Sequence, residues 1–453
     1  MTVRFVIIGG GPAGLSAATT AARLGGDVTV VERDVVGGSA NLWDCIPSKA
    51  MIATGAMMSA VARSEVMGLA ALTADLDPKA LRQRIATIST HLETQGRDLL
   101  ASQGVRVVAG TARFVGPHEL VVDTAGGVVE LAADAVLVAT GSRPRVPDWA
   151  TLDGRRILLT REAYPPPEMP EHLIVVGSGV TGVEFVHMFR SLGCEVTLIV
   201  SRQQVLPGQD HEVAAALEDD FLRRGVNLLK GARAVAADAD DDGVEVACSD
   251  GRRVRGSHAV VAIGAVPNSD GLDLGAAGVV TDRAGYVTVN HHCQSNVEHV
   301  YAAGDVSGRL PLASVASMQG RKVAEHVMGL HTVAHRHLDY DKAASAIFTE
   351  PEIATVGVAE AEAFAQGRKI RVTKVPYAST ARALIDGDPR GFVKILSDPA
   401  TGVVLGGSIV GAHASELISV IALAVTAGLT VSDIDESLLV HPALAEALAE
   451  AAE

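Results

Sequence analysis

The sequence predicts an α/β fold in which a strand, a glycine turn, a helix and a second strand occur twice, followed by an α+β segment. Three observations predict it. Phe5-Val6-Ile7-Ile8 runs into Gly9-Gly10-Gly11-Pro12-Ala13-Gly14, then a small-residue helix expected from about Leu15 to Leu24, then Val28-Thr29-Val30-Val31. Leu173-Ile174-Val175-Val176 runs into Gly177-Ser178-Gly179-Val180-Thr181-Gly182, and Glu195 to Val200 supplies the following strand. From Ala344 the pattern changes to antiparallel strands such as Gly391-Phe392-Val393-Lys394-Ile395. Each Gly-x-Gly-x-x-Gly unit is Rossmann-like, so two dinucleotide sites are expected.

Size and charge narrow the classes. A chain of 453 residues is too long for one core, so two or three domains are expected. The net charge of −15 argues against nucleic acid or an anionic membrane as partner. Cys45, Cys194, Cys248 and Cys293 are scattered and form no short disulfide framework, which suits a reducing, cytoplasmic compartment. Phe5 to Ile8 reads as a first strand and not as a signal peptide. The apolar run from Leu417 to Leu429 is too short to span a bilayer and reads as a buried or interface helix, so no integral membrane contact is expected.

In the first unit Gly9, Gly11 and Gly14 allow a tight turn and close approach to a pyrophosphate, and the helix N-terminus offers free N–H donors. Glu32 ends the second strand, where a carboxylate accepts ribose hydroxyls. After Lys49 about fifty residues are expected to be helical. Asp77-Pro78 is a helix start, and Met51, Met57 and Met58 fall at roughly helical spacing, as core residues do. Short strands are expected at Val105–Val108 and Leu120–Val122, and Ala135 to Gly141 gives an apolar strand ending in Thr140-Gly141. Pro144 and Pro147 suggest a linker.

In the second unit Gly177, Gly179 and Gly182 repeat the turn, with Glu184 just beyond. Ser201 and Arg202 follow the second strand, where an acid would repel a 2′-phosphate and a hydroxyl with a guanidinium would accept one. A surface arginine is the plainer reading, so NADPH and NADH both stay open. Asp238, Asp240, Asp241 and Asp242 read as a solvated hairpin tip. His331, His335 and His337 read as a polar connector, and no metal site is expected.

The stretch Gly37-Gly38-Ser39-Ala40-Asn41-Leu42-Trp43-Asp44-Cys45-Ile46-Pro47-Ser48-Lys49 resembles the redox-active segment of the flavoprotein disulfide reductases, the family of dihydrolipoamide dehydrogenase, glutathione reductase and mercuric reductase. Ile46-Pro47-Ser48-Lys49 stands behind the second cysteine, Cys45, but Ala40 occupies the place of the first. Ala262 to Asn268, Tyr301-Ala302-Ala303-Gly304-Asp305, Phe348 to Gly357, Leu405-Gly406-Gly407 and His441-Pro442-Ala443-Leu444-Ala445-Glu446 resemble further motifs of that family, in order along the chain. Leu310 to Ala316 and the altered redox segment resemble the family's actinobacterial-type NAD(P)H:quinone reductases.

The resemblance implies two Rossmann-like domains and a C-terminal α+β interface domain. FAD would be bound by residues 1–147 and 270–335, NAD(P)H by 148–269, and a homodimer would form through 336–453. Expected FAD contacts are Gly9, Gly11, Gly14, Glu32, Gly38, Lys49, Thr140, Gly141, Gly304, Asp305 and Ala313. Those for NADPH or NADH are Gly177, Gly179, Gly182, Glu184, Ser201, Arg202 and Gly264. Lys49 and Glu184 look like the family's flavin-side ion pair. His441, oriented by Glu446, would reach the thiol site of the partner subunit as acid/base.

A disulfide needs two sulfurs. With Ala40, reduction should stop at two electrons on FAD, and lipoamide or glutathione chemistry should be lost. The expectation is a ping-pong NAD(P)H:quinone oxidoreductase with Cys45, Lys49, Glu184, His441 and Glu446 at its centre. Three alternatives stay open: a soluble pyridine-nucleotide transhydrogenase, a peroxide reductase cycling Cys45 through a sulfenic acid, and a non-catalytic flavoprotein subunit.

Overall fold

The computed structural model describes residues 2–330 and 338–453, so His331, His335 and His337 lie outside the described residues. The chain divides into two compact units. The first comprises Met1–Ser48, Arg82–Arg145 and Gly264–Tyr340, and the second comprises Lys49–Leu81, Val146–Ile263 and Asp341–Glu453.

The first unit is built on a parallel sheet with strand order Val300–Ala302, Ala135–Val138, Arg4–Ile8, Asp27–Glu32, Arg106–Ala109. Its central strand is apolar on both faces because both faces are covered. Phe5 and Ile7 pack with Ala13, Ala17 and Ala21 of the helix Pro12–Arg23 and with Ala316 and Val323 of the helix Ala313–Val327. Val6 and Ile8 pack on the other side with Phe114, Leu120 and Val122 of a three-stranded antiparallel sheet, Thr111–Phe114, Glu119–Thr124 and Gly127–Ala132. The two helices touch closely. A Cβ on Gly320 would lie 2.0 Å from the Ala13 carbonyl oxygen, so any other residue would force them apart.

The second unit repeats the parallel arrangement in the order Asn227–Lys230, Glu195–Val200, His172–Val176, His258–Val261, Ile157–Leu159. It also holds an antiparallel sheet ordered Ser345–Ile347, Glu352–Gly357, Val404–Gly411, Phe392–Ser397, Arg371–Pro376. The helix Ala414–Ala427 lays Ile418, Ile421 and Ala424 on this sheet against Val393, Ile395 and Ile409. The four aspartates read as a hairpin tip lie at the turn between the strands Ala234–Ala239 and Val244–Cys248, where Asp240 accepts from the Asp242 and Gly243 amides at 2.9 Å.

Several local expectations need correction. The first helix begins at Pro12 and not near Leu15, because proline is pre-set for a helical first position and lacks the amide that would go unpaired there. The helical stretch after Lys49 is broken: Ile46–Ala62 gives way to a 3₁₀ turn at Ser64–Met67 and to irregular chain until Pro78–Ser102. Gly68 at φ 76° ends the turn in a left-handed conformation. Met51 is core, but Met57 is 66% exposed. The linker expected at Pro144 and Pro147 coincides with the boundary between Arg145 and Val146, but Pro144 itself is in a strand: Ser142–Pro144 pairs antiparallel with Ala265–Pro267 as a two-stranded ribbon, where proline sits on an edge. One helical stretch, Ala40–Ala62, is long and apolar enough to cross a bilayer by length and composition alone, but Lys49 within it is held by a buried carboxylate, described next.

Candidate active site

The first glycine turn has the shape that a pyrophosphate requires. Gly9 sits at φ 107°, and a Cβ there would lie 2.4 Å from the Ala139 carbonyl oxygen. A Cβ on Gly14 would lie 1.9 Å from the Gly9 carbonyl oxygen, so this glycine lets helix meet strand. A Cβ on Gly11 would meet nothing within 4 Å among the described residues, so the turn is open on that side. No side chain caps the helix Pro12–Arg23, so no side-chain acceptor competes for its first amides. Glu32 accepts from the Gly10 amide at 2.6 Å and from the Asp34 amide at 2.7 Å. Gly38, at φ 59°, approaches so closely that a Cβ would lie 2.8 Å from the Gly11 Cα.

The far end of this unit is clasped. Thr140 Oγ1 donates to the Asn268 carbonyl at 2.7 Å, Asn268 Nδ2 donates to the Thr140 carbonyl at 2.9 Å, and the Asn268 amide donates to the Gly141 carbonyl at 3.0 Å. Asp305 accepts from Ser142 Oγ at 2.6 Å. Ala313 opens a helix that no side chain caps. The open cradle over Gly11, two uncapped helix N-termini and the carboxylates of Glu32 and Asp305 fit FAD: amides for the pyrophosphate, acids for hydroxyls.

The redox-type segment folds as a π-helical turn, Ala40–Asp44, closed by the Cys45 amide donating to the Ala40 carbonyl at 3.2 Å. Positions 40 and 45 therefore stand one turn apart, and the half-buried Cys45 thiol has a methyl group at the equivalent position. Ser48 Oγ donates to the carbonyls of Asp44 and Cys45 at 2.9 Å and ties the turn to the helix Ile46–Ala62. None of the four cysteines forms a disulfide. Burial pushes the Cys194 and Cys293 thiols up to about 11, so neither is a thiolate at neutral pH.

The second glycine turn copies the first. Gly177 at φ 114° would place a Cβ 2.2 Å from the Ala262 carbonyl oxygen, a Cβ on Gly182 would lie 1.8 Å from the Gly177 carbonyl oxygen, and Gly179 is open. The helix Val180–Ser191 has no side-chain cap. Glu184, with its side chain 8% exposed, accepts from Lys49 Nζ at 2.8 Å and from the Phe348 amide at 3.0 Å. Lys49 Nζ also lies 4.9 Å from the centre of the Phe348 ring. Ser201 and Arg202 are exposed beyond the strand Glu195–Val200. Lys230 stands in register with Val200 on the neighbouring strand and pairs with Glu218 at 2.7 Å, a second base near Arg202 that sequence reasoning missed. Only strand register could have revealed it. Gly264, at φ 100°, falls in the first unit, where its carbonyl accepts from the Arg145 amide at 2.9 Å.

His441 is exposed and its Nδ1 lies 2.6 Å from Glu446 Oε1, while Glu446 Oε2 accepts from the Ala443 amide at 2.9 Å. The hydrogen bond to His441 lowers the Glu446 carboxyl below its ordinary value. A carboxylate only accepts, so Nδ1 carries a proton. Sequence reading missed the partners Phe348 for Glu184, Asn268 for Thr140 and Ser142 for Asp305, none of which carries a local signal.

The family model for pyridine nucleotide-disulphide oxidoreductases matches residues 3–320, and the model for the dimerisation domain of these proteins matches residues 343–452. An NAD(P)H dehydrogenase (quinone) of Mycobacterium tuberculosis is 42% identical, over 100% of this chain and 94% of its own length. A dihydrolipoyl dehydrogenase of Zymomonas mobilis is 34% identical over 98% of this chain and 96% of its own length. Among solved structures, LpdA from Mycobacterium tuberculosis is similar with a TM-score of 0.94 and 41% identity, covering 100% of this chain and 99% of its own. The HOCl-induced flavoprotein disulfide reductase RclA from Escherichia coli is similar with a TM-score of 0.88 and 25% identity, covering 99% of each chain.

Proposed function

Given that the chain belongs to the pyridine nucleotide-disulphide oxidoreductase family, whose enzymes use FAD and NAD(P)H, we propose that it carries electrons from NAD(P)H to a quinone without a redox disulfide. One observation carries this reading: the position one π turn before Cys45 is Ala40, so the segment holds one sulfur. The name of the Mycobacterium tuberculosis relative supports the acceptor.

FAD, held at the first glycine turn, would supply two-electron chemistry between NAD(P)H and an acceptor. The chain's residues do the rest. Gly9, Gly11, Gly14 and Gly38 form the phosphate cradle, Glu32 and Asp305 take hydroxyls, and Thr140, Gly141 and Ala313 line the far end. Gly177, Gly179 and Gly182 would cradle the pyridine nucleotide, with Ser201 and Arg202 the candidates for its 2′-phosphate and Gly264 a further contact implied by the resemblance. Glu184 pairs with Lys49 at 2.8 Å, which favours one position of the ammonium. Reducing a quinone to a hydroquinone with NAD(P)H consumes one further proton. His441 Nε2, with Glu446 on Nδ1, is the candidate donor, serving the partner subunit of a homodimer. Cys45 remains as a thiol beside the site. This assignment divides the chain into an FAD domain (1–147 and 270–335), a nucleotide domain (148–269) and an interface domain (336–453), in a cytoplasmic enzyme.

The test is anaerobic turnover of NADPH and NADH by the FAD-loaded protein with a small benzoquinone or naphthoquinone, and oxidised lipoamide in parallel. Quinone turnover without lipoamide turnover is expected. Lipoamide turnover would mean that another thiol completes the pair. Exchange between NADH and NADPH with no quinone activity would make the protein a transhydrogenase.

A further inference from the structure

Gln319 lies inside the helix Ala313–Val327 and is 1% exposed. Its Oε1 accepts from the Gly304 amide at 2.7 Å, and its Nε2 donates to the Tyr340 hydroxyl at 2.9 Å. An amide N–H can only donate, so the oxygen end must face Gly304 and the orientation of the side-chain amide is determined. Gly304 has φ 74° and ψ −159°, which turns its N–H out of the sheet. The last ladder bond is the Ala303 amide to the Val138 carbonyl at 3.0 Å. Past that point Gln319 is the partner that satisfies the buried Gly304 donor. The Gly304 carbonyl is held as well, by Ser307 Oγ at 2.7 Å and the Ser307 amide at 3.0 Å.

The next residue is Asp305, and the helix carrying Gln319 starts at Ala313. Both are placed at the FAD site, on either side of it in sequence. The helix is pinned by the Gly320–Ala13 contact, and a Cβ on Gly304 would lie 3.5 Å from the Ala316 Cβ. The far end of Gln319 is fixed too. The Arg309 guanidinium lies 6.0 Å from the Tyr340 ring centre. The Gly304 amide, Gln319 and the half-buried Tyr340 hydroxyl thus form one polar chain, in which each bond polarises the next.

We propose that Gln319 is a positioning residue for FAD, which holds the Gly304–Asp305 turn in register with the helix N-terminus at Ala313. It touches no ligand. The inference rests on the reading of the first glycine unit as the FAD site. A leucine of similar volume would leave the Gly304 N–H buried and unpaired, which destabilises the one turn geometry that points Asp305 at the site.

The experiment compares Gln319→Leu, Gln319→Glu and Asp305→Ala. The measurements are the FAD dissociation constant, the flavin midpoint potential and the melting temperature of the FAD-free protein. Gln319→Leu is expected to weaken FAD about tenfold and to shift the midpoint potential. Gln319→Glu keeps an oxygen facing Gly304 and should stay within about threefold of wild type. A lower melting temperature of the FAD-free protein with unchanged FAD affinity and potential would overturn the proposal, leaving Gln319 a residue of the core alone. Wild-type FAD affinity in Gln319→Leu with release of FAD in Asp305→Ala would also overturn it, but would leave the FAD site standing. Unchanged affinity in both variants would overturn the FAD assignment itself. If Gln319→Leu does not fold, Gln319→Met, of near-equal length, removes the same bond and is judged by the same outcomes.

Discussion

Restoring the missing sulfur tests the central inference directly. In Ala40→Cys the new thiol stands one π turn from Cys45, across a turn already closed by the Cys45 amide and the Ala40 carbonyl at 3.2 Å. Oxidation of the pair releases two electrons and two protons and forms one S–S bond across a loop of six residues. Loop-closure entropy gives such a short link about 2 kcal/mol of stabilisation, less any strain in the turn. The larger effect is in electron count. Wild type should accept one equivalent of NADPH per site, two electrons in all, and the variant should accept two equivalents. The assay is an anaerobic titration followed at the flavin band, with thiols counted in denaturant. Wild type has four cysteines and no disulfide, and the oxidised variant, with a fifth cysteine and one disulfide, should show three thiols. Five thiols and a single equivalent in the variant would refute the idea that the turn sets the two positions against each other. Two equivalents in wild type would refute the premise that the site holds one sulfur.

Three further outcomes are expected. Lys49→Met removes the partner of a carboxylate that is 8% exposed; because Lys49 itself is 33% exposed, the loss is about 2 kcal/mol and not the larger cost of a fully buried pair. The double variant Lys49→Met/Glu184→Gln should recover more than half of it, read from guanidinium midpoints. Arg202→Glu should lower kcat/KM for NADPH relative to NADH about tenfold, as the loss of a charged hydrogen bond at an exposed site would; an unchanged ratio would remove Arg202 from the phosphate site and turn attention to Lys230. His441→Gln should slow quinone reduction about a hundredfold while leaving hydride exchange between NADPH and an oxidised nicotinamide analogue within about twofold. Equal losses in both reactions would mean that His441 serves the interface and not the proton.

The parts of the site that were legible in the sequence are those whose requirement is local. Gly9 and Gly177 need a positive φ against a neighbouring strand, and Gly14 and Gly182 need room for a carbonyl; each shows as glycine at fixed spacing beside an apolar strand. The pairing of Glu184 with Lys49 was legible through the family resemblance alone, and the hold of Glu184 on the Phe348 amide joins a third distant segment that nothing near position 184 announces. Gln319 was invisible for the same reason, since a glutamine on the buried face of a small-residue helix has no motif. The π turn at Ala40–Asp44 escaped because a five-residue departure from a period of 3.6 leaves no mark in a hydrophobic pattern. The break between Ser64 and Pro78 was misread because the run has few strand-like residues, and a lack of strand signal does not make a helix.

What the chain keeps bears on what it does as much as what it has lost. Hydride transfer between two nicotinamides moves no net proton, so a transhydrogenase has no use for an acid at the acceptor side. A quinone takes up a hydride and a proton, so its reduction needs a donor within reach. Here the thiol at position 40 is gone, yet His441 still has Nδ1 held by Glu446 at 2.6 Å, and Glu446 is itself fixed by the Ala443 amide at 2.9 Å. That arrangement costs the freedom of two side chains in an exposed segment, where an ion pair by itself contributes little to stability. An interface role asks only for surface complementarity, which does not require a histidine with one nitrogen held. An acceptor that consumes a proton would use this arrangement, which is why the proposed quinone reduction and hydride exchange are separated by the His441→Gln comparison.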